Sequence, residues 1–139
     1  MIIGVGVDLI DIRRIASVID RYGARFSHRI FTELERRHCE RRRQPVNGFA
    51  MRYAAKEACA KALGTGFRQG VYWRDIEVYP LPSGKPTLRL YGQAAAHLRR
   101  LTPSTLVPSI DVSLTDEYPY GQAFVVISAI VASSNSESF

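Results

Sequence analysis

The stretch RYAAKEACAKALGTG, residues 52–66, decides how this chain folds. Six alanines run from Ala50 to Ala62, so the pattern predicts a helix that packs closely against its neighbours. Asn47 is placed to cap it after Pro45 and Gly48 break the chain, and Gly64 and Gly66 end it. Four charges ride on that helix: Arg52, Lys56, Glu57 and Lys61. Glu57 and Lys61, spaced i and i+4, share a face with Ala50 and Ala54. A surface ion pair would explain the two charges. Small residues on the same face point instead to a ligand or another chain approaching the backbone.

Working outward, MIIGVGVDLI (residues 1–10) alternates as a strand. Ile3, Val5, Val7 and Leu9 take one side, while Gly4, Gly6 and Asp8 take the other. The glycines either clear space beside a carboxylate or admit another backbone at close range. Asp11 then caps a helix carrying Ile12, Ile15, Ile19 and Tyr22 on one face. Thr32 and Glu35 have the spacing of a capping box. DIEVYP and PTLRLYG flank a turn at LPSGK, QAAAHLRRL forms a short helix, and SIDVSLT and QAFVVISAIV flank DEYPYG. Helices interspersed with hairpins define an α+β fold, one domain over residues 1–132 with a frayed tail at 133–139.

The 139 residues suffice for one domain with a sizeable core. Cys39 and Cys59 have neither metal-site nor disulfide-framework spacing, which fits a reducing compartment. The N-terminus lacks the basic region and cleavage site of a signal peptide, so a cytoplasmic location is expected. AFVVISAIVA (123–132) is too short to cross a bilayer and reads as a buried strand. Net charge is +6, and ten of the nineteen basic residues are arginines between residues 11 and 43. Such a block either decorates a solvated face or attracts nucleic acid, anionic lipid or an acidic protein. Arg13, Arg14 and Arg21 fall outside the apolar stripe of the first helix.

Two carboxylates and a lysine suit magnesium–diphosphate chemistry. Mg²⁺ keeps several waters and is held by one or two carboxylates plus phosphate oxygens. Asp8 and Glu57 offer the carboxylates, and Lys61 a mobile charge for the same phosphates. Asp8 could equally be a helix cap or a salt-bridged acid. Gly64-Thr65-Gly66 lets a ligand approach the backbone, although it is not a P-loop because no strand precedes it.

At this point the motifs GVGVDLIDIRRI, MRYAAKEACAKALGTG, DIEV, SGKPTLRLYG and VSLT…AFVVI, in that order, resemble the holo-acyl-carrier-protein synthases. These are the short single-domain 4′-phosphopantetheinyl transferases, and the resemblance spans residues 1 to about 130. It implies transfer of phosphopantetheine from coenzyme A to a serine of an acidic apo acyl carrier protein, releasing adenosine 3′,5′-bisphosphate. By the same resemblance Asp8 and Glu57 bind Mg²⁺ and Lys61 contacts the diphosphate. Arg52, Gly64, Thr65, Gly66, Gly84, Lys85, Pro86, Asp111 and Ser113 serve the coenzyme. Arg13, Arg14, Arg21 and Arg25 dock the carrier, and three copies assemble with active sites between subunits.

One departure stands out. DVSLTD puts Asp111 and Asp116 where such synthases commonly have histidine, and His28, His38 and His97 lie elsewhere with exposure expected. The general base stays open, with Glu57 a candidate. Two other readings share these residues. A basic nucleic-acid-binding module would leave Asp8, Glu57 and Lys61 unexplained and lacks interleaved aromatic residues. A Mg-dependent diphosphate hydrolase would use the same ligands with water as nucleophile.

Overall fold

A computed structural model describes residues 1–133. The tail expected at 133–139 therefore lies, from residue 134 onward, outside the described residues. Strands β1 (Ile2–Asp11), β4 (Leu106–Glu117) and β5 (Tyr120–Val131) form an antiparallel sheet in the order β1-β5-β4. β2 (Ile76–Pro80) and β3 (Pro86–Leu90) make a separate hairpin. Helices α1 (Ile12–Tyr22), α2 (Ala24–Ile30) and α3 (Glu33–Glu40) lead into the long α4 (Pro45–Leu63), and α5 (Gly92–Leu101) joins the hairpin to β4. The α+β architecture, the Asp11 cap and the Thr32–Glu35 capping box match the sequence reading.

The core is α4 laid across β1 and β5. Thirteen of its 19 residues are buried, so it is a central helix rather than a surface one. Its contact with β1 is backbone on backbone. A Cβ at Gly6 would sit 1.8 Å from the Ala58 carbonyl oxygen, and one at Gly4 would sit 1.9 Å from that of Ala62. Neither oxygen can yield without displacing the helix, so only glycine fits at both places. The alanines Ala50, Ala54, Ala58 and Ala62 are thus covered by the chain's own core, not by a ligand as the sequence suggested.

The start of α4 also differs from expectation. Pro45 occupies the first turn behind Gln44, and Asn47 and Gly48 lie within the helix. Proline lacks the N–H that a first-turn residue leaves unpaired anyway, and its fixed φ suits that position. A Cβ at Gly48 would fit tightly, 3.1 Å from Cys39 Sγ and 3.2 Å from Arg42 Cδ. Cys39 and Cys59 are buried free thiols, and burial pushes them up to about 11 and about 12.

Lys56 answers part of the question raised by charge on this helix. It is fully buried and pairs with Glu35 Oε1 at 2.7 Å. It also donates to the carbonyls of Trp73 (3.0 Å) and Ile76. Glu35, likewise buried, accepts from the amides of Thr32 and Val78. One ion pair therefore ties α3, α4 and the entry to β2 together, with every ammonium proton directed at an acceptor.

The opposite face of the sheet is bare. Val5, Val7 and Leu9 of β1 and Phe124 and Ile130 of β5 are exposed. The glycine side of β1, not its valine side, faces the core.

Replacing Gly6 with alanine should cost on the order of 3 kcal/mol or prevent folding, read from urea unfolding. A loss below about 0.5 kcal/mol would refute the backbone contact.

Candidate active site

α4 runs antiparallel to β1, with Ala62 over Gly4 and Ala58 over Gly6. One further step along β1 brings Asp8 beside the Glu57–Lys61 turn of the helix. Lys61 Nζ donates to Asp8 Oδ1 at 3.1 Å and to the Val7 carbonyl at 2.9 Å. Lys61 is half exposed, so this bond adds little stability and its ammonium is free to move. Burial, and next the charge of Asp8, pushes the Glu57 carboxyl above the usual carboxylate range. Lys61, Arg14 and a hydrogen bond from Tyr53 oppose that rise. Two acids crowded at a sheet edge are what a hard divalent cation relieves. Asp8 and Glu57 could offer two protein oxygens to such an ion, leaving positions for water and phosphate.

The glycine turn lies at the same end of α4. Gly64 and Gly66 both have positive φ, 79° and 57°, and open space lies beside each. Thr65 between them is buried, its hydroxyl bonded to the Gly66 carbonyl at 2.8 Å. The backbone there is accessible to a ligand, as the sequence indicated.

The other residues that the resemblance assigned to the coenzyme border two separate cavities. Arg52 borders a cavity of about 290 Å³ with His38, Arg42, Gly84, Pro86 and Asp116. Its side chain is 7% exposed; Nη1 donates to the Gly48 carbonyl at 3.3 Å, while Nε is buried with no partner among the described residues. Arg52 thus brings a cationic guanidinium to the edge of this cavity. Lys85, Asp111 and Ser113 border a second groove, of about 410 Å³, with Phe124 and Val126. Lys85 and Asp111 approach to 3.9 Å, both largely exposed. Of the histidines, His28 is exposed as expected, but His38 and His97 are half-buried.

Asp8 lies on one edge strand of the sheet, and Asp111, Ser113 and Asp116 lie on the other, with β5 between them. Two strand spacings separate those edges by about 10 Å. Within one chain, then, Asp8, Glu57 and Lys61 come together, whereas Lys85, Asp111 and Ser113 do not join them.

On the docking face, Arg14, Arg21 and Arg25 are exposed on α1 and α2. Arg13 is occupied: its Nε and Nη2 donate to the two oxygens of Asp11 at 2.9 and 2.7 Å. Arg14 stands near enough to Glu57 to help hold its carboxyl down. Sequence reasoning missed Tyr53, His38 and Arg42. Tyr53 was legible as the residue one helical turn before Glu57, whereas the other two come to the Arg52 cavity only through folding of α3 against α4.

Paired acids and a lysine at a sheet edge suit phosphate chemistry, and comparison supplies the class. Residues 4–121 match the model of the 4′-phosphopantetheinyl transferase superfamily. The chain is 58% identical over 133 residues to the holo-[acyl-carrier-protein] synthase of Methylobacterium radiotolerans, covering 96% of this chain and 98% of that one. It is 58% identical over 139 residues to that of Rhodopseudomonas palustris, covering 97% and 100%. Among solved structures, the holo-[acyl-carrier-protein] synthase of Neisseria meningitidis superposes with a TM-score of 0.80 at 36% identity, covering 92% and 99%. That of Helicobacter pylori, in complex with coenzyme A, gives 0.75 at 25% identity, covering 89% and 99%. This chain belongs to the 4′-phosphopantetheinyl transferase superfamily.

The raised Glu57 carboxyl has a signed consequence. Its folded pKa lies above its unfolded value, so the folded state holds the proton more tightly. That contribution is present at pH below the unfolded value and is lost as pH rises through the folded one. Without divalent cations at pH 7, Glu57→Gln should therefore melt higher than the parent, and Asp8→Asn should lower the Glu57 midpoint read by NMR. An unchanged Glu57 midpoint in Asp8→Asn would contradict the coupling.

Proposed function

We propose that this chain transfers 4′-phosphopantetheine from coenzyme A to a serine of an acidic apo acyl carrier protein, releasing adenosine 3′,5′-bisphosphate. The observation that carries the reading is the meeting of Asp8, Glu57 and Lys61 at the end of β1. The relatives named holo-[acyl-carrier-protein] synthase and the relative with bound coenzyme A support it.

Each residue then has a task. Asp8 and Glu57 hold Mg²⁺, which when bound supplies positive charge beside the diphosphate oxygens. Lys61, held by one carboxylate oxygen and one carbonyl, swings to the same diphosphate and stabilises charge as the bridging bond breaks. Glu57 is the candidate acceptor for the serine proton, directly or through a water. The open backbone at Gly64 and Gly66 admits the phosphates, with Thr65 fixing the turn. Arg52 at the edge of its cavity serves the nucleotide end, where Gly84, Pro86, Lys85, Asp111 and Ser113 add the rest of the surface.

The division of the site across two sheet edges favours assembly from two copies. The exposed apolar face of β1 and β5 gives such copies something to bury. The family resemblance sets the number at three, so we read the protein as a homotrimer with its sites between subunits. No helix among the described residues is long and apolar enough to cross a membrane, which is consistent with a cytoplasmic enzyme of fatty acid synthesis.

Carrier docking falls to the exposed arginines of α1 and α2, led by Arg14 beside Glu57, with Arg21 and Arg25 behind it. Arg13 contributes through its fixed pairing with Asp11. Arginine suits a carboxylate-rich partner because its fork bonds bidentately.

Intact mass of an apo carrier incubated with coenzyme A and Mg²⁺ tests the reaction: one added phosphopantetheine is expected. Coenzyme A cleavage without carrier would mark a hydrolase instead. Arg14→Glu should raise KM for the carrier on the order of tenfold and leave coenzyme A binding unchanged, with added salt mimicking the substitution. The opposite pattern would assign Arg14 to the coenzyme.

A further inference from the structure

Asp8 already has a cation. Lys61 Nζ donates to Asp8 Oδ1 at 3.1 Å and to the Val7 carbonyl at 2.9 Å. The carboxylate side chain is 16% exposed and the lysine 51%, so the acid is sheltered against the strand while its partner opens to solvent. Glu57 lies one turn before Lys61 on α4 and feels the charges of Asp8, Lys61 and Arg14. The ammonium nonetheless bonds to Asp8 and to backbone, not to Glu57.

That ammonium stands on an oxygen that a divalent ion would need. Two cations repel at such range, so they do not share one carboxylate oxygen. Lysine carries three donors and no acceptor on a flexible four-carbon stem, and a half-exposed pair is weak enough to break. What the ammonium needs is another anion within reach. A diphosphate at the glycine turn would be one, since Gly64 follows Lys61 by three residues and open space lies beside it.

We infer that Lys61 is the resident counter-ion of Asp8 in the unliganded protein, and that it keeps divalent metal off that carboxylate until the coenzyme diphosphate draws it away. The inference rests on the transferase reading above and adds an order to it. Coenzyme A frees Asp8 for the metal. Because coupling between two ligands is reciprocal, the metal in turn favours the position of Lys61 that holds the coenzyme. The acids are thus charge-compensated in both states, by lysine before the substrate arrives and by metal after it.

Calorimetric titration with Mg²⁺, in the absence of carrier, tests the exclusion. The parent protein should bind Mg²⁺ on the order of tenfold more tightly when loaded with one equivalent of coenzyme A. Lys61→Met should raise the affinity for Mg²⁺ alone on the order of tenfold and shrink the gain that coenzyme A brings. Arg14→Gln removes a neighbouring cation that has no bond to Asp8, and should leave the affinity for Mg²⁺ alone within about twofold of the parent. An unchanged or weaker affinity in Lys61→Met would overturn the inference. Equal gains in Lys61→Met and Arg14→Gln would overturn it as well, by reducing the effect to general charge. In the unsubstituted protein, coenzyme A without metal should move the NMR resonance of the Lys61 side chain. Bound coenzyme A with that resonance unmoved would contradict the displacement. Failure of coenzyme A to bind, with Mg²⁺ or without it, would instead sink the transferase reading, and the inference with it.

Discussion

Two glycines that allow a helix to rest on a strand set the whole arrangement. Gly4 and Gly6 admit the carbonyls of Ala62 and Ala58 into space that any side chain would fill. Because two points of contact fix both the position and the direction of α4, the Glu57–Lys61 turn has only one place to go. It lands beside Asp8. Residues some fifty apart in sequence become a three-charge cluster through a contact containing no charge at all. The site's geometry is thus a packing consequence, and its tolerance for error is small because the contacting groups are rigid backbone.

The charges on α4 divide by face. Lys56 turns inward to Glu35 and two carbonyls, Glu57 and Lys61 turn to the β1 edge, and Arg52 turns to a cavity on the far flank. A buried ion pair is a weak source of net stability, since desolvation of both ions offsets much of their attraction. Burial lowers the Lys56 pKa while Glu35 pulls it back up. What the pair secures is rotation: with Lys56 locked, the helix cannot turn about its axis, so Glu57 and Arg52 keep to opposite flanks. The same ammonium takes the Trp73 carbonyl, which fixes the segment leading into β2 against this buried clamp.

Much of this was legible beforehand, for identifiable reasons. Alternation marked β1, and the spacing of Thr32 and Glu35 marked a helix start, because both signals depend on neighbouring residues alone. The Asp8, Glu57 and Lys61 grouping was readable from chemistry plus family resemblance. Three things were not. Pro45 and Gly48 look like breakers, but position within the first turn and contact with Cys39 override their local tendencies. The Lys56–Glu35 pair joins residues on different helices, and no local pattern announces it. The separation of Asp8 from Asp111 and Ser113 on opposite edges of the sheet follows from strand order, which depends on long-range pairing.

We propose that the site is completed between copies of the chain, one supplying Asp8, Glu57 and Lys61 and another the Arg52 flank. Mixing two inactive variants, Glu57→Gln and Arg52→Met, under conditions where subunits exchange, tests it directly by intact mass of the carrier. The account predicts that each variant alone leaves the carrier unmodified and that the mixture restores transfer, because mixed assemblies contain some undamaged sites. A mixture as inactive as its components, with exchange verified by native mass, would contradict it.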